Sequence, residues 1–183
     1  MALAMAMQEQ LGDLDGKKFL LTWSYHPKPL NTAVANSALV MAAKFGMNVT
    51  LLCPTEEYVL DQRYLDIAHA DTGSNGRQLR ITHDIDEAYG DADVVYAKSW
   101  GALPYFGRWD EEKPVRDQYK HFIVDEDKMA RTDGALVSHC LPMRRNVIMT
   151  DGVFDSPACI AYQEAENRLH VQKAIMKRLI SGI

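Results

Sequence analysis

Short apolar runs of strand length alternate along this chain with segments whose apolar residues recur at helical spacing. Residues 18–23 form the first such run, and residues 31–45 follow with apolar side chains on one helical face. Residues 48–53 then read as a second strand and residues 56–70 as a second helix, before a glycine-containing break at 72–76. Because a continuous apolar run is typical of a strand covered on both faces, this alternation predicts βαβ units around a parallel sheet.

The rest of the chain continues the alternation with shorter elements. The predicted strands cover residues 79–82, 93–97 and 135–138, and the predicted helices cover residues 84–88, 125–130 and 164–179. Residues 98–116 are rich in aromatic residues, Gly and Pro and are predicted to be irregular, and long loops inside a compact domain are usually functional. With right-handed crossovers, these elements predict an α/β fold, a Rossmann-like doubly wound parallel sheet of about five strands with flanking helices. The length of 183 residues fits a single domain.

Charge and cysteine content exclude several classes of protein. The 20 Lys and Arg residues against 25 Asp and Glu residues give a formal net charge of −5, which argues against a nucleic-acid partner. The 3 cysteines show no Cys-x-x-Cys spacing, so neither a disulfide framework nor a metal cluster is predicted, and a reducing cytoplasm fits best. Apolar runs stay well below the ~18 residues of a membrane span, so no membrane partner is expected.

The loop after the first strand argues against a nicotinamide cofactor. Dinucleotide-binding folds need glycines in this loop so that the backbone can approach a pyrophosphate. Residues 24–31 read Ser-Tyr-His-Pro-Lys-Pro-Leu-Asn instead, with two prolines and two bulky rings. We therefore predict no cofactor. Asn31 can cap the following helix, contact a ligand, or do both through different atoms.

Polar residues follow the fourth and fifth strands at the edge where open parallel sheets bind ligands. Lys98 leaves the fourth strand beside aromatic residues and suits an anionic group of a small substrate, although a plain surface lysine is the alternative. After the fifth strand, His139 and Cys140 point to opposite faces, so they do not form a nucleophilic pair. The Leu141–Pro142 bond is a candidate cis peptide that would turn backbone carbonyls toward a small polar substrate.

Two segments together, His139-Cys140-Leu141-Pro142 and Glu-Asn-Arg-Leu-His at 166–170, resemble the transcarbamylase superfamily. Segments 26–33, 98–101 and 143–146 resemble, more closely, the N-acylornithine carbamoyltransferases. The resemblance implies transfer of a carbamoyl group from carbamoyl phosphate to the δ-amine of an N-acylated ornithine, a step of arginine biosynthesis. It covers the amino-acid-binding half of such an enzyme, and the carbamoyl-phosphate domain, with its Ser-Thr-Arg-Thr-type loop, is expected to be absent.

The resemblance also implies roles for individual residues. Cys140 and Leu141 would offer backbone groups to the carbamoyl moiety and to the attacking amine. Arg168 would reach the carbamoyl oxygen, and Lys98 would pair with the substrate carboxylate. The other contacts that the resemblance implies are made by Asn31 and Arg144.

The α-amine of the substrate provides a separate argument. Free ornithine carries an ammonium there, which needs a carboxylate partner, and residues 96–100 contain no acid. Lys98 would repel an ammonium but tolerate an amide, so an acylated substrate is favoured. Acetyl and succinyl groups both stay open: in the acetyl-specific type the position that matches Ile148 can be a lysine, and the residues that distinguish the two are expected in the absent half.

Two classes of function therefore remain. In the first, the chain works with a carbamoyl-phosphate-binding half or subunit, and the full enzyme is a homo-oligomer. In the second, it is a binding or interaction module that keeps the fold and catalyses nothing. Under the first, residues 2–11 form a helix entering from the absent half, and its apolar face is expected to lack cover. The closing helix is expected to turn a stripe inward that consists of Val171, Ala174, Ile175 and Leu179.

Overall fold

The computed structural model describes residues 1–182 of the chain and contains one parallel sheet. Its strands are β1 (Lys18–Trp23), β2 (Asn48–Leu52), β3 (Leu79–Thr82), β4 (Val94–Lys98) and β5 (Leu136–Ser138). Each neighbouring pair is parallel, and the strand order is β3-β2-β1-β4-β5. The predicted doubly wound α/β fold of about five strands is therefore confirmed.

Helices flank the sheet and connect its strands. They are α1 (Ala2–Leu11), α2 (Ala33–Lys44), α3 (Gln62–Ser74), α4 (Ile85–Tyr89), α5 (Trp109–Arg116), α6 (Glu126–Met129), α7 (Asp151–Phe154) and α8 (Ala161–Ser181). Right-handed crossovers put α2 and α3 on one face and α4 on the other, because the chain reverses direction across the sheet after β3. All of β4 and all but the first residue of β1 are buried, as both-face cover requires. None of the helices in the described part of the chain combines the length and the hydropathy of a membrane span.

Aspartates begin several of these helices. The Asp61 carboxylate accepts a hydrogen bond from the Arg63 backbone N–H at 2.9 Å and so caps α3. Asp84 accepts from the Glu87 N–H at 3.0 Å and caps α4. A capping carboxylate satisfies an N–H that has no partner inside the helix, so these positions set the first turn.

The second helix begins and ends later than predicted. Residues 56–70 contain a short 3₁₀ turn, Glu56–Tyr58, and α3 begins only after the Asp61 cap. The predicted break at 72–76 is wrong at its start, because α3 continues through Gly73 to Ser74. Buried Thr72 donates its hydroxyl to the Ala68 carbonyl within this turn, and α3 tolerates the exposed Gly73 in its last turn because one glycine costs a helix only ~1 kcal/mol relative to alanine.

The prediction that residues 98–116 are irregular is wrong in its second half. Helix α5 occupies residues 109–116 despite Pro114 inside it. The Glu112 carboxylate is completely buried, pairs with the Arg116 guanidinium, and accepts a hydrogen bond from the Ala102 N–H at 2.9 Å. This buried pair ties α5 to the loop that follows β4, a contact that no local sequence pattern indicates.

The two terminal helices differ from prediction in opposite ways. Helix α1 packs on α8 and buries Leu3, Ala4, Ala6 and Met7, so the expected uncovered face is wrong. At this seam, Glu9 accepts hydrogen bonds from the Asn167 amide at 2.8 Å and the Gln163 amide at 2.6 Å.

The inward stripe predicted for α8 is also wrong: Val171 is half-buried, whereas Ala174, Ile175 and Leu179 are exposed. Only the first turns of α8 reach the core, which they do through Ala161, Glu164 and Asn167.

Candidate functional site

The strand order reverses between β1 and β4, and the loops that leave these strands diverge at that point. Trp23 and Lys98, the last residues of the two strands, lie opposite each other in the sheet. A cavity of about 460 Å³ lies here, bounded also by the loop that follows β5. Open α/β sheets bind ligands at such a reversal. The cavity is lined by the sequence-predicted residues Asn31, Lys98, Cys140, Leu141 and Arg144.

Lys98 is the buried cation of this cavity. It is 7% exposed, and within residues 1–182 no carboxylate lies within ion-pair distance of its ammonium. Burial lowers the pKa of Lys98 because a charged ammonium is poorly solvated there. An anionic ligand would supply the missing partner and restore the stability of the charged form.

The loop after β5 has an unusual backbone. The Leu141–Pro142 peptide bond is cis, which confirms the prediction, and Leu141 has φ of 48°. The Leu141 N–H donates to Nδ1 of His139 at 3.0 Å. His139 is 2% exposed and also lines the cavity; burial, together with the nearby charges of Lys98 and His26, lowers its pKa to about 4.

Asn31 and Arg144 occupy the rim of the cavity. The side-chain amide oxygen (Oδ1) of Asn31 accepts a hydrogen bond from the Ala33 N–H at 3.1 Å, so the residue stabilises the start of α2 while it lines the cavity. Arg144 is exposed, and its neighbour Arg145 makes bonds of 2.6 and 2.7 Å to both oxygens of Asp155. That clamp holds the loop that carries Arg144.

Arg168 does not line the same cavity as Lys98. It is an exposed residue of α8 in a neighbouring cavity of about 450 Å³, between the start of α1, α2 and α8. The two cavities share the wall formed by Cys140 and Leu141. Lys98 and Arg168 therefore lie on the two sides of the loop after β5, at the same edge of the sheet.

Sequence reasoning missed Glu164, which lies one helical turn before Arg168. Its carboxylate is 8% exposed and accepts hydrogen bonds from the Ser138 hydroxyl at 2.6 Å and the Tyr96 hydroxyl at 3.3 Å. Burial raises the pKa of Glu164. Because Tyr96 is in β4 and Ser138 ends β5, one side chain links both strands to α8. An acid four residues before a predicted site arginine was the available signal. His26, 8% exposed in the cavity wall, was missed as well.

A larger cavity, of about 570 Å³, lies beside α4 over β1, β2 and β3, away from these loops. Its charged side chains are already paired: the Lys18 ammonium is 3.1 Å from the Asp91 carboxylate, and the Arg80 guanidinium is 2.7 Å from the Glu87 carboxylate. The cavity at the carboxyl ends of the strands differs because its cations, Lys98 and Arg144, share it with no acidic side chain among its lining residues in the described chain. It is the stronger candidate for an anionic ligand.

Residues 29–179 match the family model described as the Asp/Orn binding domain of aspartate/ornithine carbamoyltransferase, and the chain belongs to that family. It is 65% identical, over 182 residues, to the N-acetylornithine carbamoyltransferase of Xanthomonas campestris, covering 98% of this chain and 54% of that protein. It is 32% identical to the ornithine carbamoyltransferase of Pyrococcus abyssi over 98% of this chain and 54% of that protein. The chain thus spans about half the length of these curated relatives.

Solved structures show the same relationship. A crystal structure of acetylornithine transcarbamylase complexed with acetylcitrulline superimposes with a TM-score of 0.94 at 67% identity, covering 96% of this chain and 53% of that one. A mutant of N-acetyl-L-ornithine transcarbamylase complexed with carbamyl phosphate and N-succinyl-L-norvaline matches equally well, with a TM-score of 0.94 and 67% identity over 96% of this chain and 53% of that one.

Proposed function

We propose that this chain is the amino-acid-binding half of an N-acetylornithine carbamoyltransferase and binds N-acetyl-L-ornithine in the cavity that Lys98 lines. The observation that carries the proposal is the charge of this cavity: Lys98 and Arg144 are present, and no acidic side chain lines it among the described residues. Such a site suits a carboxylate and an uncharged α-amide, whereas the α-ammonium of free ornithine would lie unpaired beside Lys98.

The residues around the cavity have distinct tasks in this proposal. Lys98 pairs with the substrate carboxylate, and Asn31 and Arg144 contact the same molecule at the rim. The backbone carbonyls of Cys140 and Leu141 accept hydrogen bonds from the attacking amine and from the carbamoyl NH₂ group. The positions of these residues around one cavity of about 460 Å³ support the assignments.

The chemistry is displacement at a carbonyl carbon. The neutral δ-amine attacks the carbamoyl carbon and forms a C–N bond, and the bond from that carbon to the phosphate oxygen breaks. Inorganic phosphate departs and takes up the proton that the amine loses. Negative charge develops on the carbamoyl oxygen, and Arg168, on the other side of Leu141, stabilises it. Carbamoyl phosphate is presented by the part of the enzyme that lies outside this sequence, and the completed enzyme is a homo-oligomer.

The relatives favour this function over a binding module without catalysis. Proteins at 65% identity over nearly the whole chain are named N-acetylornithine carbamoyltransferases, and the proteins at 32% identity are named for ornithine. A crystallised relative holds acetylcitrulline, which is the product expected from an acetylated substrate. The acetyl group is therefore proposed over the succinyl group, and the reaction is placed in arginine biosynthesis.

Titration calorimetry of the chain with N-acetyl-L-ornithine and with L-ornithine tests the proposal. We expect tighter binding of the acetylated ligand, and we expect Lys98→Met to weaken it at least about tenfold, since a charge-assisted hydrogen bond contributes ~1.5–3 kcal/mol. Lys44→Met is the matched control, because Lys44 is exposed on α2 and pairs with Asp71. Tighter binding of free ornithine, or equal loss in both variants, would contradict the proposal.

A further inference from the structure

We propose that His139 is a positioning residue whose neutral imidazole occupies the Leu141 backbone N–H, so that Leu141 offers its carbonyl, and not its N–H, to the ligand. The inference deepens the proposed function and rests on it, because the ligand in question is the amino-acid substrate and its carbamoyl partner.

The hydrogen bond between His139 and Leu141 determines the state of the ring. Nδ1 accepts from the Leu141 N–H at 3.0 Å, so Nδ1 carries no proton. A neutral imidazole has one protonated nitrogen, which must here be Nε2. The ring is therefore held as a single tautomer, and protonation of Nδ1 would break the bond to Leu141.

The other ring nitrogen supports a role beyond packing. Nε2 is buried and has no hydrogen-bond partner within residues 1–182. A buried donor without a partner destabilises a protein. The His139 ring thus makes one hydrogen bond where two are possible. That bond is made to Leu141, which lines both the cavity of Lys98 and the cavity of Arg168.

The surroundings of His139 keep it uncharged. The ring is 2% exposed, Lys98 faces it from the end of β4, and His26 faces it from the loop after β1. Burial and these two groups oppose a positive charge on the ring and lower its pKa to about 4. The acceptor at Nδ1 is therefore present throughout the physiological range of pH.

The consequence concerns which substrate groups the loop can accept. The attacking amine and the carbamoyl NH₂ group are both N–H donors, which need acceptors. A free Leu141 N–H would face these donors and repel them. Because His139 occupies that N–H, the backbone group that Leu141 has left for a ligand is its carbonyl, which matches a donor-bearing ligand.

The first test needs no variant. In a ¹⁵N NMR titration of the wild-type chain, we expect the His139 ring to carry its proton on Nε2 and to titrate well below the ordinary histidine value of ~6.5. A ring protonated on Nδ1, or a midpoint near the ordinary value, would overturn the proposal.

The second test separates the acceptor from the bulk of the side chain. His139→Asn places an amide oxygen near the position of Nδ1, whereas His139→Leu fills similar space without an acceptor. We expect the Asn variant to bind N-acetyl-L-ornithine within about twofold of wild type and the Leu variant to bind it about tenfold more weakly, the effect of one lost hydrogen bond. His121→Leu, at an exposed histidine, is the control and should bind as wild type does.

The outcomes distinguish this inference from the proposed function. Thermal melts first establish that each variant is folded. Wild-type affinity in the Leu variant would overturn the role of His139 while leaving the proposed function intact. If the wild-type chain does not bind N-acetyl-L-ornithine, the proposed function fails, and the NMR titration alone then decides whether His139 holds the Leu141 N–H.

Discussion

At the scale of single residues, the site depends on groups whose burial changes their chemistry. Lys98 and His139 are both basic residues whose pKa is lowered by burial. They differ in charge at neutral pH because the ordinary pKa of lysine is much higher than that of histidine. Lys98 is therefore the group that can carry charge to a substrate carboxylate, while His139 serves as a neutral acceptor. Exposed lysines and histidines of the same chain have no such division of roles.

The lowered pKa of Lys98 predicts a pH dependence of ligand binding. The ammonium form binds a carboxylate, so affinity should fall as pH rises through the pKa of Lys98, which lies below the ordinary lysine value of ~10.4. N-acetyl-L-norvaline is the suitable probe, because it lacks a δ-amine that would titrate in the same range. Calorimetry between neutral and alkaline pH measures the effect, and the weak binding of Lys98→Met should show no such fall. A wild-type affinity that stays constant up to ~10.4 would contradict the assignment.

At the scale of elements, the site is held by helices that pack behind its loops. Glu164 joins β4, β5 and α8, and Glu112 joins α5 to the loop after β4 through the Ala102 N–H. Both carboxylates are buried and serve several segments at once. Glu164 therefore holds together three elements that are separated in the sequence, while Glu112 fixes the loop that begins just after Lys98.

The buried pair of α5 predicts a large effect on stability. Arg116→Met leaves the Glu112 carboxylate buried without its cation and should lower the free energy of unfolding by about 3–5 kcal/mol, measured by urea denaturation. Arg108→Met removes an exposed guanidinium 2.9 Å from Glu111 and should cost less than about 1 kcal/mol. The double variant Glu112→Gln/Arg116→Met should be more stable than Arg116→Met alone, since no charge then remains buried. Equal costs for the two arginine variants would contradict this account.

At the scale of the whole molecule, α8 extends beyond the domain. Its first turns are buried against α1 and the sheet, while Leu179 is 78% exposed near its end. Arg168 lies where these regions meet, in the cavity shared by α1, α2 and α8.

The role of Arg168 is testable in an enzyme completed by the carbamoyl-phosphate half of a relative. Arg168→Ala should lower kcat by ~10²–10³, because it removes a donor to the oxygen on which negative charge develops. The assay measures formation of N-acetylcitrulline. Arg178→Ala, an exposed residue farther along the same helix, should leave kcat unchanged. An unchanged kcat in Arg168→Ala would refute the role.

Local pattern was sufficient to predict the sheet and the edge of it at which Lys98 and Leu141 lie. Strands are short apolar runs whose two-sided burial follows from their composition, and strand ends in a parallel sheet converge at one edge, so Lys98 and Leu141 could be placed together from sequence. Tertiary packing decided the remainder. It formed α5 around Pro114 and covered α1, while the end of α8 stays exposed. Glu164 and His139 make buried hydrogen bonds that depend on the three-dimensional arrangement of the chain. Hydrophobic periodicity does not indicate the partners of such bonds.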